Sequence, residues 1–281
     1  LSRRLDTGRH SIAPALLTSC IIAATLSANP AYAAGTLAGT DIQNIASATF
    51  DTAGGPATIP PNTVVIKVDE LLDVTVASTD PGDVTTSPGA TGNVQTFRIT
   101  NTGNGNEAFG LTANVANGGD DFDPTLQQIV IDTNNNGVYD AGVDTVYTSG
   151  VNDPVIAPDQ SVTVFVITAT PAGVVDTNRA NVSLNAVART GTGTPGTTVT
   201  VSIGGTMVGT SFTGAGQGGG DAVVGSTTAQ GTASGFLAVR ATSVALLKSA
   251  TILDPFGGNR PVPGAVITYS LVATVSGTGT M

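Results

Sequence analysis

Thr96-Phe97-Arg98-Ile99-Thr100-Asn101-Thr102-Gly103-Asn104-Gly105-Asn106, resumed by Phe109, Leu111, Ala113 and Val115, is the stretch whose reading decides the fold. Phe97 and Ile99 share one parity, while Thr96, Arg98 and Thr100 take the other. That is the period of two expected of a strand with one buried face. Asn and Gly fill the connection, where the chain must adopt positive φ, and the alternation then returns. The pattern predicts a β-hairpin.

Similar segments extend in both directions. On the N-terminal side, Asn44, Ala46, Ala48 and Phe50 hold one parity, followed by Gly54-Gly55, a Pro60-Pro61 break, and Val64, Ile66 and Val68. Leu72, Val74 and Val76 run into the turn signal Asp80-Pro81-Gly82. On the C-terminal side, Ile129-Val130-Ile131 and residues 143–147 flank an Asn/Asp/Gly loop. Residues 162–167 are apolar on both parities, as a central strand requires. Val182, Leu184 and Ala186 alternate with Asn181, Ser183 and Asn185, and Val199, Val201 and Ile203 close a set of seven to nine strands between Leu71 and Ile203. No window beyond the N-terminal segment has a convincing helical period. The prediction is all-β, with tandem immunoglobulin-like β-sandwich modules of which the first and last are incomplete.

Residues 204–235 turn to Gly, Thr, Ser and Ala around Gly218-Gly219-Gly220, and read as a linker or long inter-strand loop. A phosphate-binding reading fails because neither a following Gly-Lys-Ser/Thr nor a strand-to-helix context is present. The expected organisation is an export segment at 1–33 and a partial repeat, or the first strands of the main module, at 34–70. A main sandwich at 71–203 follows, then the linker, and a truncated further repeat at 236–281. The chain stops within that last unit, as a fragment would.

The export segment is read from Arg3, Arg4 and Arg9, an apolar stretch from Ile12 to Leu26, and the small-x-small pattern Ala31-Tyr32-Ala33. Leu17-Thr18-Ser19-Cys20 offers a rival lipoprotein cleavage box, but apolar residues continue past Cys20 to the later site, which favours ordinary cleavage. The apolar run is shorter than the ~20 residues of a membrane-spanning helix. Cleavage after Ala33 removes the single Cys and the single His, and leaves 248 residues with 7 bases, 19 acids and a net charge of −12. Such a chain repels nucleic acid, attracts divalent cations and forms no disulfide. Serine–histidine and cysteine–histidine nucleophilic schemes are excluded, as is zinc held by His or Cys. Carboxylate-pair glycoside chemistry is disfavoured because the acids sit in solvated turns. The reading is therefore non-enzymatic.

Two stretches carry a family resemblance. Val244-Ala245-Leu246-Leu247-Lys248-Ser249-Ala250, Asp254-Pro255-Phe256-Gly257-Gly258 and Pro261-Val262-Pro263-Gly264-Ala265-Val266-Ile267-Thr268-Tyr269 form the first. They resemble the opening strands of the bacterial conserved-repeat domain of unknown function found in large surface proteins. Gly39-Thr40-Asp41-Ile42-Gln43-Asn44-Ile45-Ala46-Ser47-Ala48-Thr49-Phe50 is similar to its closing strand. The resemblance covers the two ends of the mature chain and implies an Ig-like, exported, repeated element with a structural or stalk role and no catalytic residues.

One candidate site stands out. Asp132-Thr133-Asn134-Asn135-Asn136-Gly137-Val138-Tyr139-Asp140 follows the D-x-[DN]-x-[DN]-G pattern of calcium loops. Asp132, Asn134 and Asn136 supply oxygens at positions 1, 3 and 5, Gly137 the sharp turn, Val138 a carbonyl, and Asp140 a water-mediated contact. Position 12 is Val143 in place of a bidentate Glu, and Asp144 is the nearest acid. The flanks read as strands, and an Asx-rich turn of this kind also forms without an ion. The expected cofactor is Ca2+ at the ~10⁻⁴–10⁻³ M affinity of extracellular modules. Asp120, Asp121 and Asp123 form a second acidic cluster, expected to join this site or to stand as a solvated loop. Tyr139 and Tyr147 are expected to cap the sandwich end, or else to form a contact edge.

The function expected from these features is an exported structural or adhesive surface protein, a spacer or stalk stiffened by calcium. Its place is the cell surface, the extracellular medium or the periplasm. The alternatives are a module that binds a surface glycan or protein through the loops at 101–106 and 132–144, and an accessory domain of a secreted hydrolase. Neither nucleic acid nor a membrane span enters the expectation.

Overall fold

The fold, a computed structural model, describes residues 35–189 and 208–279. The expected export segment and the strand expected at Val199–Ile203 lie outside them. The described residues form β1 (Asp41–Thr52), β2 (Gly55–Lys67), β3 (Glu70–Leu72), β4 (Val74–Ser78), β5 (Val84–Thr86), β6 (Asn93–Asn101), β7 (Glu107–Asn114), β8 (Thr125–Ile131) and β9 (Thr145–Val146). These are followed by β10 (Val155–Ile156), β11 (Ser161–Ala169), β12 (Arg179–Ala188), β13 (Ser211–Phe212), β14 (Ala222–Val224), β15 (Gln230–Val239), β16 (Thr242–Leu253) and β17 (Val266–Gly277). The one helical element among them is a 3₁₀ turn at Gln217–Gly219. No helix among the described residues is long and apolar enough to cross a membrane.

Two five-stranded sheets, ordered β10-β7-β12-β15-β5 and β4-β6-β11-β8-β9, make a sandwich. Their inward parities are those of the alternation. Phe97, Ile99, Val164 and Val166 come from one sheet, and Phe109, Leu111, Val182, Leu184 and Leu237 from the other, in one buried cluster. Burying such side chains contributes roughly 1.5–3 kcal/mol each, so the cluster supplies the main drive to fold. The remaining strands form a small sheet, β13-β14-β3, and two separate ribbons, β1-β2 and β16-β17.

The Gly/Thr-rich tract departs from its linker reading. Its residues 230–235 open β15, which lies between β12 and β5 in the sandwich, with Gln230 opposite Val187 and Leu237 opposite Ala180. The cause is steric. A Cβ on Gly231 would lie 3.0 Å from the Val74 carbonyl oxygen, and one on Gly235 3.2 Å from Gln95 Nε2 and 3.4 Å from Phe97 Cζ. Glycine in this strand serves close approach of the two sheets, not flexibility. Just before it, buried Asp73 accepts from the backbone N–H and hydroxyl of Ser226 and of Thr227, tying the tract to the β3–β4 corner.

The ribbons differ from the sandwich strands. β1 and β2 pair from Asp41–Lys67 to Thr52–Gly55, and β16 and β17 from Thr242–Gly277 to Leu253–Val266. Nearly every residue of both ribbons is exposed, including Ile42, Phe50, Val64, Leu246, Tyr269 and Leu271. The register sets them at opposite ends of the β12–β15 pair. Arg179 at the start of β12 faces Ala238, where β15 leads into β16. Ala188 at its other end faces Phe109, close to Glu107.

Candidate metal site

The connection from β8 to β9 carries the calcium-type motif, and those strands pair antiparallel at Val130–Val146 and Ile131–Thr145. The loop folds around its own carboxylates. Asp132, buried, accepts from the backbone N–H of Asn136 at 3.3 Å and of Gly137 at 2.8 Å. Gly137 has φ +76° and Asn135 +60°, the left-handed region that Gly and Asn tolerate best. Asn134 Oδ1 accepts from Asn136 N–H, and Asn136 Oδ1 from Val138 N–H. Asp144, also buried, closes the loop by accepting from Thr133 N–H at 3.1 Å and Asp140 N–H at 2.8 Å.

Asp140 Oδ2 accepts from the side-chain amides of Asn134 at 2.9 Å and Asn136 at 2.7 Å. These two donors hold its carboxyl below the ordinary aspartate value. The motif residues are therefore drawn together, with Asp144 closing the loop through backbone N–H groups. Val143 and Val138 keep their side chains in solvent. Among the described residues, no group of three or more His, Cys, Asp and Glu side chains gathers as a metal cage.

The loop also covers apolar surface. Val130, Phe165 and Ile167 form a second buried cluster on the outer face of β8 and β11, with Val94 and Tyr139 packed against it. The Tyr139 and Phe165 rings lie 5.9 Å apart at 59°, and Gln128 Nε2 donates to Tyr139 Oη at 3.0 Å. This accounts for the apolar character of β11 on both parities. Tyr147 packs against the main core, accepts from Leu111 N–H and donates to Asp153 at 2.7 Å. Both tyrosines are half-buried, Tyr139 against the outer cluster and Tyr147 against the main core.

The second acidic cluster belongs elsewhere. Asp120 and Asp121 accept from the backbone N–H groups of Asn181 and Arg179, fastening the loop after β7 to β12. The Asn/Gly loop at 101–106 is also committed to structure. Asn101 donates to the carbonyls of Gly105 and Ile156, and Asn104 to those of Thr36 and Asp69, with both side chains buried.

Two buried carboxyls escaped the sequence reading. Glu70 is 1% exposed and Glu107 2%. Burial lifts Glu70 to about 7, against a lowering contribution from Gln217 N–H. Burial first and the charge of Glu70 second lift Glu107 to about 9. Such values can mark general acids, but side chains this enclosed do not meet a substrate. One signal was available: every other acid in the chain is Asp, and the two Glu each open an apolar segment.

No protein-family model matches the chain, and no curated protein matches it in sequence.

Proposed function

We propose that the protein is an exported structural or adhesive surface element, a spacer or stalk of tandem Ig-like modules that calcium stiffens. The supporting observation is the pair of ribbons with uncovered apolar residues at opposite ends of one sandwich. An isolated two-stranded ribbon is marginally stable, whereas a third strand or a packed second sheet makes it secure. Ten large apolar side chains of β16 and β17 are exposed, more than a free-standing module carries without a neighbour to cover them. Units completed by their neighbours string end to end, which suits a stalk. The ribbons are also the stretches that resemble the conserved-repeat domain.

Calcium has its place in this reading at Asp132, Asn134, Asn136, Val138, Asp140 and Asp144. An ion drawing these oxygens inward would fasten the loop, and with it Tyr139 over Phe165. At ten times its Kd, binding would add about 1.4 kcal/mol. The protein acts at the cell surface, in the extracellular medium or in the periplasm, holds other modules apart and performs no catalysis.

Small-angle scattering and thermal melting of the chain lacking residues 1–33 test the proposal together. The expectation is an extended particle whose Tm rises with millimolar calcium and returns with chelator, the rise being absent in Asp132→Ala. A compact globule indifferent to calcium would overturn it.

A further inference from the structure

We infer that Glu70 and Glu107 form a carboxyl–carboxylate pair sharing one proton, and that this proton latches the β3-β14-β13 sheet and the adjoining N-terminal ribbon onto the sandwich. The chain contains only these two glutamates among its twenty acids, and the fold buries both.

Each carboxyl has one oxygen held by backbone. Gln217 N–H donates to Glu70 Oε2 at 2.7 Å, and Ala108 N–H to Glu107 Oε1 at 3.0 Å. The other oxygens, Glu70 Oε1 and Glu107 Oε2, are buried without a hydrogen-bond partner. Glu70 Oε1 lies against Gly105, where a Cβ would come within 2.3 Å of it, two residues before Glu107. Ionised carboxylates only accept, so with both charged neither free oxygen gains a donor from the other. A single proton makes one of them a donor and satisfies both. Calcium needs six to eight oxygens, and no third carboxylate joins the pair among the described residues.

The surrounding charges are already engaged. Lys67 at the end of the N-terminal ribbon pairs with Asp41 at 2.8 Å, and Arg189 beyond β12 pairs with Asp153 at 3.1 Å. Asp69 beside Glu70 accepts from Asp221 N–H, and Asp221 from Ser211 and Gly214. Arg189 N–H, next to Glu107, donates to the Ala108 carbonyl at 2.8 Å. Among the described residues, neither Lys67 nor Arg189 is free to neutralise a doubly ionised pair, in keeping with the raised values of both carboxyls.

The pair lies where several segments meet. Glu70 opens β3, pairs with Ala222 of β14 and follows the last residue of β2 by three positions. The turn that supplies Gln217 N–H also accepts from Asn106 N–H through the Gln217 side chain. Loss of the shared proton leaves two like charges in a dry gap, which pushes apart the β6–β7 loop and β3. For carboxyls raised in the fold, the stabilisation is complete below the unfolded value near 4.5 and is lost as pH rises through about 7 and then about 9.

The two-glutamate composition makes the test direct. Carbon-13 labelling of Glu carboxyls in the full chain gives two NMR signals, followed from pH 3 to 10. The expectation is two well-separated steps, with one carboxyl still protonated at pH 8, and faster amide exchange in β3 and β14 than in β12 above the second step. Glu107→Gln, whose amide donates as the shared proton does, should abolish the upper step and move the remaining one down. Glu70→Gln is the companion should the first variant fail to fold. Two signals titrating together near 4.5 would overturn the inference. So would a shift of both signals on adding millimolar calcium at pH 6, which would assign the gap to a cation.

Discussion

Leu237→Ala separates a strand from a linker. Leu237 is fully buried in β15 against the main core, within the stretch that follows the glycine-rich tract. Truncation there removes roughly 1.5–3 kcal/mol of burial and leaves a cavity that the close-packed sheets cannot wholly collapse. The expected cost is about 3 kcal/mol, within the 2–5 kcal/mol usual for buried leucines. For a unit of this size each kcal/mol is worth ~2–4 °C in Tm, so the melt should drop by about 6–12 °C. Leu247→Ala on the exposed C-terminal ribbon is the control, expected within about 0.5 kcal/mol of the parent. Gly235→Val probes the same contact in reverse and should cost about 1–3 kcal/mol by overpacking against Phe97 and Gln95. Urea unfolding by circular dichroism reads all three. If Leu237→Ala and Leu247→Ala behave alike, β15 is not part of the sandwich and the packing argument fails.

Asp153→Ala should cost about 3–5 kcal/mol in urea unfolding, because it strands the mostly buried Arg189 guanidinium and removes the acceptor of Tyr147. Gln95→Met should stabilise the chain by about 1–3 kcal/mol, since both polar atoms of this fully buried amide lack partners; an unchanged midpoint would show that they are satisfied in solution. Acid should act late. The carboxyls of Asp83, held by Arg179, and of Asp176, Asp221 and Asp254, held by hydroxyl and backbone donors, all lie below the ordinary value of 3.8. Groups depressed in the fold add stability above that value and lose it as pH falls through their own, so acid should begin to lower Tm only below about pH 4. A Tm already falling between pH 6 and 5 would contradict this.

Much of the sandwich was legible because period two survives in its strands. Phe97 and Ile99 in β6, and Val182, Leu184 and Ala186 in β12, point inward as the alternation requires. The loop after β8 was legible for a similar reason, since Asp, Asn and Gly at fixed offsets dictate the turn whether or not an ion is bound. The glycine tract was misread because composition alone does not distinguish a glycine that frees the chain from one that lets two backbones approach. Gly231 and Gly235 are of the second kind, and only the opposing Val74 and Phe97 reveal it. The Glu70–Glu107 pair depends on a long-range meeting of β3 with β7, which no local pattern encodes. The two ribbons carry the alternation of half-buried strands, yet here both their faces meet solvent, so the pattern points to a surface that other sheets must supply.

Residue-resolved amide hydrogen exchange tests the central claim most directly. The account predicts that β6, β11, β12 and β15 open only with global unfolding, while β1-β2 and β16-β17 exchange orders of magnitude faster. Ribbons as strongly protected as the sandwich in a monomeric chain, or β15 amides exchanging like a free linker, would contradict it.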